Sequence, residues 1–210
     1  MEFEREIEKD IWGRKERPLT EEGIVELIQE DDWMMKILKT AAELKLPDWW
    51  IGAGFVRNKV WDVLHGYMTR TSLSDIDVIY FDSEDFKING SGGDAKKQES
   101  FYEGLLKQRH PDVNWSVKNQ ARMHLLHNDE PYKNSEEALA QWVETATCVA
   151  VKIDDGRLIL TAPRGIDDLV SLKLRPIGDS IETIQIFNER VENKQWLNLW
   201  PNLKVVEINE

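Results

Sequence analysis

The chain has a single cysteine, Cys148, which excludes an intrachain disulfide and any metal site built from several thiolates. Its neighbours in Thr147-Cys148-Val149-Ala150 are mostly apolar, which fits a buried thiol better than a nucleophile. Long hydrophobic runs are missing too. No segment reaches the length needed to span a bilayer, and Met1 to Pro18 is densely charged without the apolar core of a signal peptide, so a cytoplasmic protein is expected. Positive charge is scarce: 27 Lys and Arg face 39 Asp and Glu, giving a net charge of -12 and a pI near 4.9. Nucleic-acid binders gain much of their affinity by neutralising phosphates with a basic face, so an extended nucleic-acid interface is disfavoured here. There is no internal repeat and no low-complexity tract.

What is present suits one globular domain. A chain of 210 residues with 41% hydrophobic and 9% aromatic residues can bury a full core. Residues 1–18 read as a flexible, charged extension and 19–210 as a single domain. Nine tryptophans are unusually many for this length; Trp49, Trp50, Trp61 and Trp115 fall on or beside apolar segments and are better explained by packing than by base stacking.

The pattern from Trp49 to Asp82 carries the chemistry. An apolar strand, Trp49 to Ile51, runs into Gly52-Ala53-Gly54, and Phe55, Val56, Val60, Trp61, Val63 and Leu64 then recur at helical spacing. Glycines at such a junction let backbone approach a ligand closely, and the first amides of a helix favour a phosphate. A second strand carries Asp75-Ile76-Asp77-Val78. Side chains two apart on a strand share a face, so Asp75 and Asp77 point together while Ile76 and Val78 point into the core. Paired carboxylates suit hard cations such as Mg2+ or Mn2+, which can hold the attacking and leaving oxygens of a phosphoryl displacement. Singly, a Gly-x-Gly turn or an Asp-x-Asp pair is more often a tight turn or chance acidity; their order in one unit raises the weight of both.

Gly52-Ala53-Gly54-Phe55-Val56-Arg57-Asn58, the amphipathic helix and Asp75-Ile76-Asp77-Val78 together resemble the head of the DNA polymerase beta-type nucleotidyltransferase superfamily, in the form found in CCA-adding enzymes and poly(A) polymerases. With Trp115 to His124 and Ala162 to Leu169, the chain resembles a bacterial family of small nucleotidyltransferase-like proteins from about Asp48 to Trp200. The resemblance implies an α/β (α+β) fold, a short mixed sheet flanked by helices with a C-terminal hairpin and helix. It also implies metal-dependent transfer of a nucleoside monophosphate from an NTP to an acceptor hydroxyl, with Asp75 and Asp77 as catalytic metal ligands. Gly52, Ala53, Gly54 and Arg57 would then contact the nucleotide. The acceptor, a small molecule or a protein, is not named by it.

Two features depart from the superfamily pattern. The stretch from Phe55 to Ser74 is longer than in compact members, which leaves the role of the Gly66 to Leu73 loop open. The third carboxylate that the superfamily takes from a later strand is missing, because Ser116 occupies its expected place. Asp112 shares the parity of Ser116 but lies about 13 Å along at the usual rise per residue, and Asp82 and Glu84 lie past the end of the acidic strand. A non-catalytic nucleotide-binding or protein-interaction module is therefore the alternative. A metal-dependent glycosyltransferase fits less well, given the glycine turn directly upstream.

The remaining elements are expected as follows. Thr20 and Asp31 or Asp32 start two helices, the second closed before Pro47. Lys87 to Gly93 is a loop, and Asp94 opens a helix bearing Phe101, Leu105 and Leu106. Strand Val113 to Lys118 leads to a turn in which Lys118 and Arg122, four apart, would neutralise a triphosphate or else pair with surface acids. Asn134 caps a helix from Ala138 to Val143. Thr147 to Ile153 and Arg157 to Thr161 form a hairpin around Asp155-Gly156. A strand is expected at Leu169 to Leu174, with Asp167-Asp168 as a cap or turn, and one amphipathic helix from Phe187 to Trp200. His124 and His127 have a spacing compatible with metal ligation but lack a third ligand.

Overall fold

The computed structural model describes residues 19–84, 92–127 and 129–206. The expected N-terminal extension lies outside them, as does most of the Lys87 to Gly93 loop. In chain order the elements are α1 (Glu21–Gln29), α2 (Asp32–Ala42), β1 (Trp50–Gly52), α3 (Gly54–Leu64), β2 (Ile76–Tyr80), α4 (Gly92–Arg109) and β3 (Trp115–Asn119). There follow α5 (His124–His127), α6 (Ser135–Leu139), β4 (Ala150–Asp154), β5 (Arg157–Thr161), α7 (Asp167–Val170), β6 (Lys173–Leu174), α8 (Ile181–Asn193), α9 (Trp196–Leu199) and β7 (Lys204–Val205). None of the described helices is long and apolar enough to cross a membrane.

Five strands form one mixed sheet in the order β3-β2-β1-β4-β5. Only the β2 and β3 pair is parallel; β1 runs antiparallel to both β2 and β4, and β4 to β5. The parallel pair needs a crossover, and α4, packed on β3, provides it. The sheet has two unequal faces. Ile51, Val78, Val117 and Val151 point into the main core with Ile37, Leu38, Phe55 and Trp61. Trp50, Ile79 and Ala150 point the other way, where, among the described residues, Leu139 and Trp142 join them. Period-two alternation puts Asp77 on this second face with Ile79, so the acidic pair projects from the thinly covered side.

Local chemistry accounts for most boundaries. The Thr20 hydroxyl accepts from the Gly23 amide at 3.2 Å, the Asp31 carboxylate from Met34 at 3.1 Å, and the Asn134 side chain from Glu137 at 2.7 Å. Each is an N-cap bond that satisfies an orphan amide of the first turn. The hairpin turns at Asp155 (φ 45) and Gly156 (φ 76), the two positive angles that a tight two-residue hairpin loop demands. Trp49, Trp50, Trp61 and Trp115 are all buried, as packing residues should be.

Several expectations change: the helix expected at Ala138 to Val143 spans Ser135–Leu139, and the strand expected from Thr147 begins only at Ala150, after a helical turn at Thr145–Thr147. Leu169 to Leu174 is not a strand: Asp167–Val170 is a helical turn, Leu172 takes φ 55, and only Lys173–Leu174 is extended, pairing with Lys204–Val205. Acidic Asp167 and Asp168 favour a helix start, and a short apolar run does not separate strand from helix by itself. The C-terminal helix breaks at Gln195 (φ 54) into α8 and α9, because Trp196 and Trp200 both pack edge-on against Trp61, with ring centroids at 5.9 and 5.1 Å. Phe101 is exposed rather than part of the core face of α4; Leu106 is the buried position.

Candidate functional site

The site is assembled where β1 ends. Ala53 follows the strand with φ 50 and ψ -120, a region that a residue with a Cβ rarely adopts and that stores strain. The bend it makes starts α3 at Gly54 with no side-chain cap. A Cβ on Gly54 would sit 3.4 Å from Leu73 Cδ2 and 3.5 Å from Arg57 Nη2, and one on Gly52 would sit 3.2 Å from the Trp142 ring. The contact at Gly52 is tight enough that the Trp142 ring would have to shift, whereas the contacts at Gly54 are ordinary van der Waals distances.

Asp75 lies just before β2 and Asp77 on it. The Ser74 hydroxyl donates to Asp75 Oδ1 at 2.7 Å, and Lys194 Nζ donates to the same hydroxyl oxygen at 3.4 Å. In the parallel register Ser116 stands opposite Asp77, confirming by geometry that a hydroxyl occupies the neighbouring-strand position. Burial, and then the negative charge of Asp75, push the Asp77 carboxyl above its ordinary value; the hydrogen bond to Ser116 and the charges of Lys194 and Lys118 oppose this. A carboxylate in that state is one that an added cation would relieve.

Both acids line a cavity of about 350 Å³ together with Arg57, Arg190, Lys194 and Trp196. Arg57, on α3, is 6% exposed. Its Nη1 donates to Thr147 Oγ1 at 3.1 Å and Nη2 to Asn58 Oδ1 at 2.9 Å, while the guanidinium lies 4.4 Å from the Trp196 ring centroid and 5.0 Å from that of Trp61. Desolvation lowers its pKa to about 10, with the charge of Glu144 opposing, so it is cationic at neutral pH. Arg190, on α8, donates from Nε to the fully buried Glu144 at 2.6 Å and from Nη2 at 3.3 Å.

Lys118 and Arg122 are placed elsewhere. Lys118 reaches Glu103 at 3.2 Å and Glu99 at 3.8 Å, and Arg122 pairs with the same buried Glu99. Neither is among the residues lining the cavity. The cations that do line it from the C-terminal side, Arg190 and Lys194, were not picked out in the sequence. They carry the same four-residue spacing as Lys118 and Arg122, a signal that was there to be used.

The donor set bears on a metal. Among the described residues no group of three or more His, Cys, Asp and Glu side chains converges. Two carboxylates facing one cavity, one of them strained by the other's charge, nevertheless fit a hard divalent ion that completes its shell with water and substrate phosphates, the usual way in which Mg2+ is held. Asp82 instead takes part in the end of β2, where its amide donates to Asn119 Oδ1 at 3.1 Å and its carboxylate accepts from Glu84 N at 2.9 Å. Asp168 is occupied by Arg175 at 2.8 Å and by Thr145 Oγ1 at 2.7 Å. His124 is buried at the start of α5, with its ring 6.0 Å from that of Tyr132. Burial pushes the Cys148 thiol up to about 12, which leaves it inert.

Comparison with known proteins bears on the fold and the family. A solved NMR structure described as a CCA-adding enzyme head domain is 28% identical and superposes with a TM-score of 0.75, covering 90% of this chain and 97% of that one. The Thermotoga maritima CCA-adding enzyme in complex with tRNA (15% identity, TM-score 0.51, 88% of this chain) and a CCA-adding enzyme in complex with CTP (13%, 0.53, 88%) share the fold. The chain spans 42% and 43% of the lengths of those two. No curated protein sequence matches. A family model described as nucleotidyltransferase matches residues 39–205, four-fifths of the chain and the whole of the site. The chain therefore belongs to the nucleotidyltransferase family.

Proposed function

We propose that the protein transfers a nucleoside monophosphate from an NTP to an acceptor hydroxyl in a reaction that depends on Mg2+ or Mn2+. The observation that carries this reading is the placement of Asp75 and Asp77 in the cavity that also holds Arg57, Arg190, Lys194 and the uncapped start of α3. Asp75 and Asp77 would hold the ion. When bound, it neutralises phosphate charge and polarises the α-phosphate towards attack.

The chain's own residues do the positioning. Gly52 and Gly54 allow the phosphates to approach the backbone, the start of α3 contributes its amides and partial positive charge, and the three cations balance the triphosphate. Their effect is electrostatic and prearranged, so it costs little reorganisation during reaction. The acceptor oxygen bonds to the α-phosphorus, the bridging oxygen leaves with its electron pair as pyrophosphate, and the hydroxyl proton passes to water. In this reading Lys118 and Arg122 act at a distance, through the edge strand, rather than by touching phosphate.

Binding of a fluorescent ATP analogue, with and without Mg2+, tests the site. Asp75→Asn and Asp77→Asn should each weaken Mg2+-dependent affinity at least about tenfold, roughly 1.4 kcal/mol, with circular dichroism unchanged. Equal affinity in wild type and variants would remove the acids from the site.

The hydroxyl of Ser116 opposite Asp77 favours a second reading, a nucleotide-binding module without turnover. Incubation with α-labelled NTPs, Mg2+ and a cell extract separates the two. Covalent label on any acceptor supports transfer; binding alone supports the module.

A further inference from the structure

Arg57 and Arg190 reach the site cavity from different elements, α3 and α8, and one short turn holds both of them. Residues Thr145–Thr147 form a helical turn with Glu144 as its N-cap. The fully buried Glu144 carboxylate accepts from Arg190 Nε at 2.6 Å and from Nη2 at 3.3 Å. Three residues on, the buried Thr147 hydroxyl accepts from Arg57 Nη1 at 3.1 Å. Both arginines line the cavity, whereas Glu144 and Thr147 are not among its lining residues. The turn is itself anchored: the Thr145 amide donates to the Arg175 carbonyl at 2.9 Å and the Thr145 hydroxyl to Asp168 at 2.7 Å.

Two guanidiniums at one cavity repel each other, and a carboxylate out of reach of water is costly unless it is paired. Here each problem answers the other. The charge of Glu144 favours the cationic form of Arg57, and the charge of Arg190 opposes it. The ring of Trp196 adds a further partner for both, 4.4 Å from the Arg57 guanidinium and 5.9 Å from that of Arg190. A two-point hold through Nε and Nη2 also fixes the plane of the Arg190 guanidinium and leaves its Nη1 donors for another acceptor.

We infer that Glu144 is a positioning residue for polyphosphate binding: without touching substrate, its carboxylate holds Arg190 beside Arg57 as a two-guanidinium clamp. The identity of the polyphosphate, the triphosphate of an NTP, rests on the site reading given above. When Glu144 loses its charge, Arg190, whose side chain is 36% exposed, turns to solvent and away from Arg57. Arg57 keeps Thr147, Asn58 and its ring contacts, so half of the clamp is lost. Removing a negative charge also makes the cavity more attractive to anions, but that gain acts at a distance, whereas the loss is of a direct charge-assisted contact.

The probe is inorganic tripolyphosphate, titrated by calorimetry with Mg2+ present. Glu144→Gln and Arg190→Met should each weaken binding about tenfold. The double variant should bind no more weakly than Arg190→Met alone, because Glu144 acts through Arg190. Glu144→Asp, which keeps the charge but removes a methylene from a buried site, should stay within about threefold of wild type; a purely structural residue would instead tolerate the isosteric Gln better than the shorter Asp. If Glu144→Gln melts too low to titrate, Arg190→Lys reads the same contact from its exposed end, and should weaken binding about fivefold by giving up the two-point hold. Wild-type affinity or tighter binding in Glu144→Gln, additive losses in the double variant, Asp no better than Gln, or unchanged affinity in Arg190→Lys overturns the inference. Tripolyphosphate carries no nucleoside, so failure of label transfer from NTPs would overturn the transfer reading alone, and transfer without tripolyphosphate binding would overturn the clamp alone.

Discussion

Two of the molecule's acid pairs, Asp167-Asp168 and Asp75/Asp77, are treated by the fold in opposite ways. Asp167 and Asp168 open α7, where Asp168 gains Arg175 and Thr145. Burial raises the Asp168 pKa, but these two partners outweigh it and hold the carboxyl below its ordinary value. Asp75 and Asp77 share a face, and Asp77 is raised by burial and by its neighbour, with a hydroxyl as its hydrogen-bond partner. Asp168 is stabilised by what surrounds it. Asp77 is held against the preference of its surroundings, the kind of perturbation that clusters at functional sites. What separates the pairs is spacing: neighbours in sequence diverge, whereas residues two apart on a strand converge.

The largest test of this contrast compares Asp77→Asn with Asp168→Asn. Asp77→Asn should lower nucleotidyl transfer by about a hundredfold or more, since it removes one of two ligands for the ion, while the melting temperature without Mg2+ stays level or rises. Asp168→Asn should do the reverse, leaving NTP affinity unchanged and costing on the order of 1 kcal/mol, a modest loss because Arg175 is partly exposed. Thermal melts and a label-transfer assay on both variants measure it. Loss of activity in both, or in neither, would erase the distinction.

Ser116→Asp sharpens the comparison by converting the strained pair into a triad. The new carboxylate would stand beside Asp77 across the parallel ladder. If the hydroxyl there limits turnover, transfer should rise roughly tenfold or more, within the range that a positioned base contributes. Unchanged turnover would show that Ser116 is not the limiting position.

Legibility in the sequence followed the range of the interactions. Asp31, Asn134 and Asp155-Gly156 act within four residues of themselves, and the caps and turn they encode are where pattern reading puts them. The strand, glycine turn, helix and acidic strand are equally local, and their buried residues Ile76 and Val78 obey simple alternation. The break at Gln195 carries no glycine or proline to announce it; a left-handed residue there is offset by the packing of Trp196 and Trp200 on Trp61, more than a hundred residues away. The cations show the same limit. Lys118 and Arg190 look alike in sequence, and only the packing of α4 against β3 gives the first to Glu103 and Glu99, while α8 brings the second to the cavity.

The smallest effect is in the pH dependence of stability, and its sign is the point. Asp168 has a lowered folded-state pKa, so its contribution is fully present above the unfolded value and is lost only as pH falls through the lower folded value. Asp77 has a raised folded-state pKa, so the folded protein binds more protons than the unfolded chain just above the unfolded value, and stability falls as pH climbs through the raised value. In chelator, the melting temperature of Asp77→Asn relative to wild type should therefore increase as pH rises above about 4, whereas that of Asp168→Asn should decrease as pH rises towards about 4. Saturating Mg2+ should cancel the first trend by stabilising wild type through binding to the folded state alone. If the two curves moved in the same direction with pH, the acid pairs would not differ in the way their surroundings indicate.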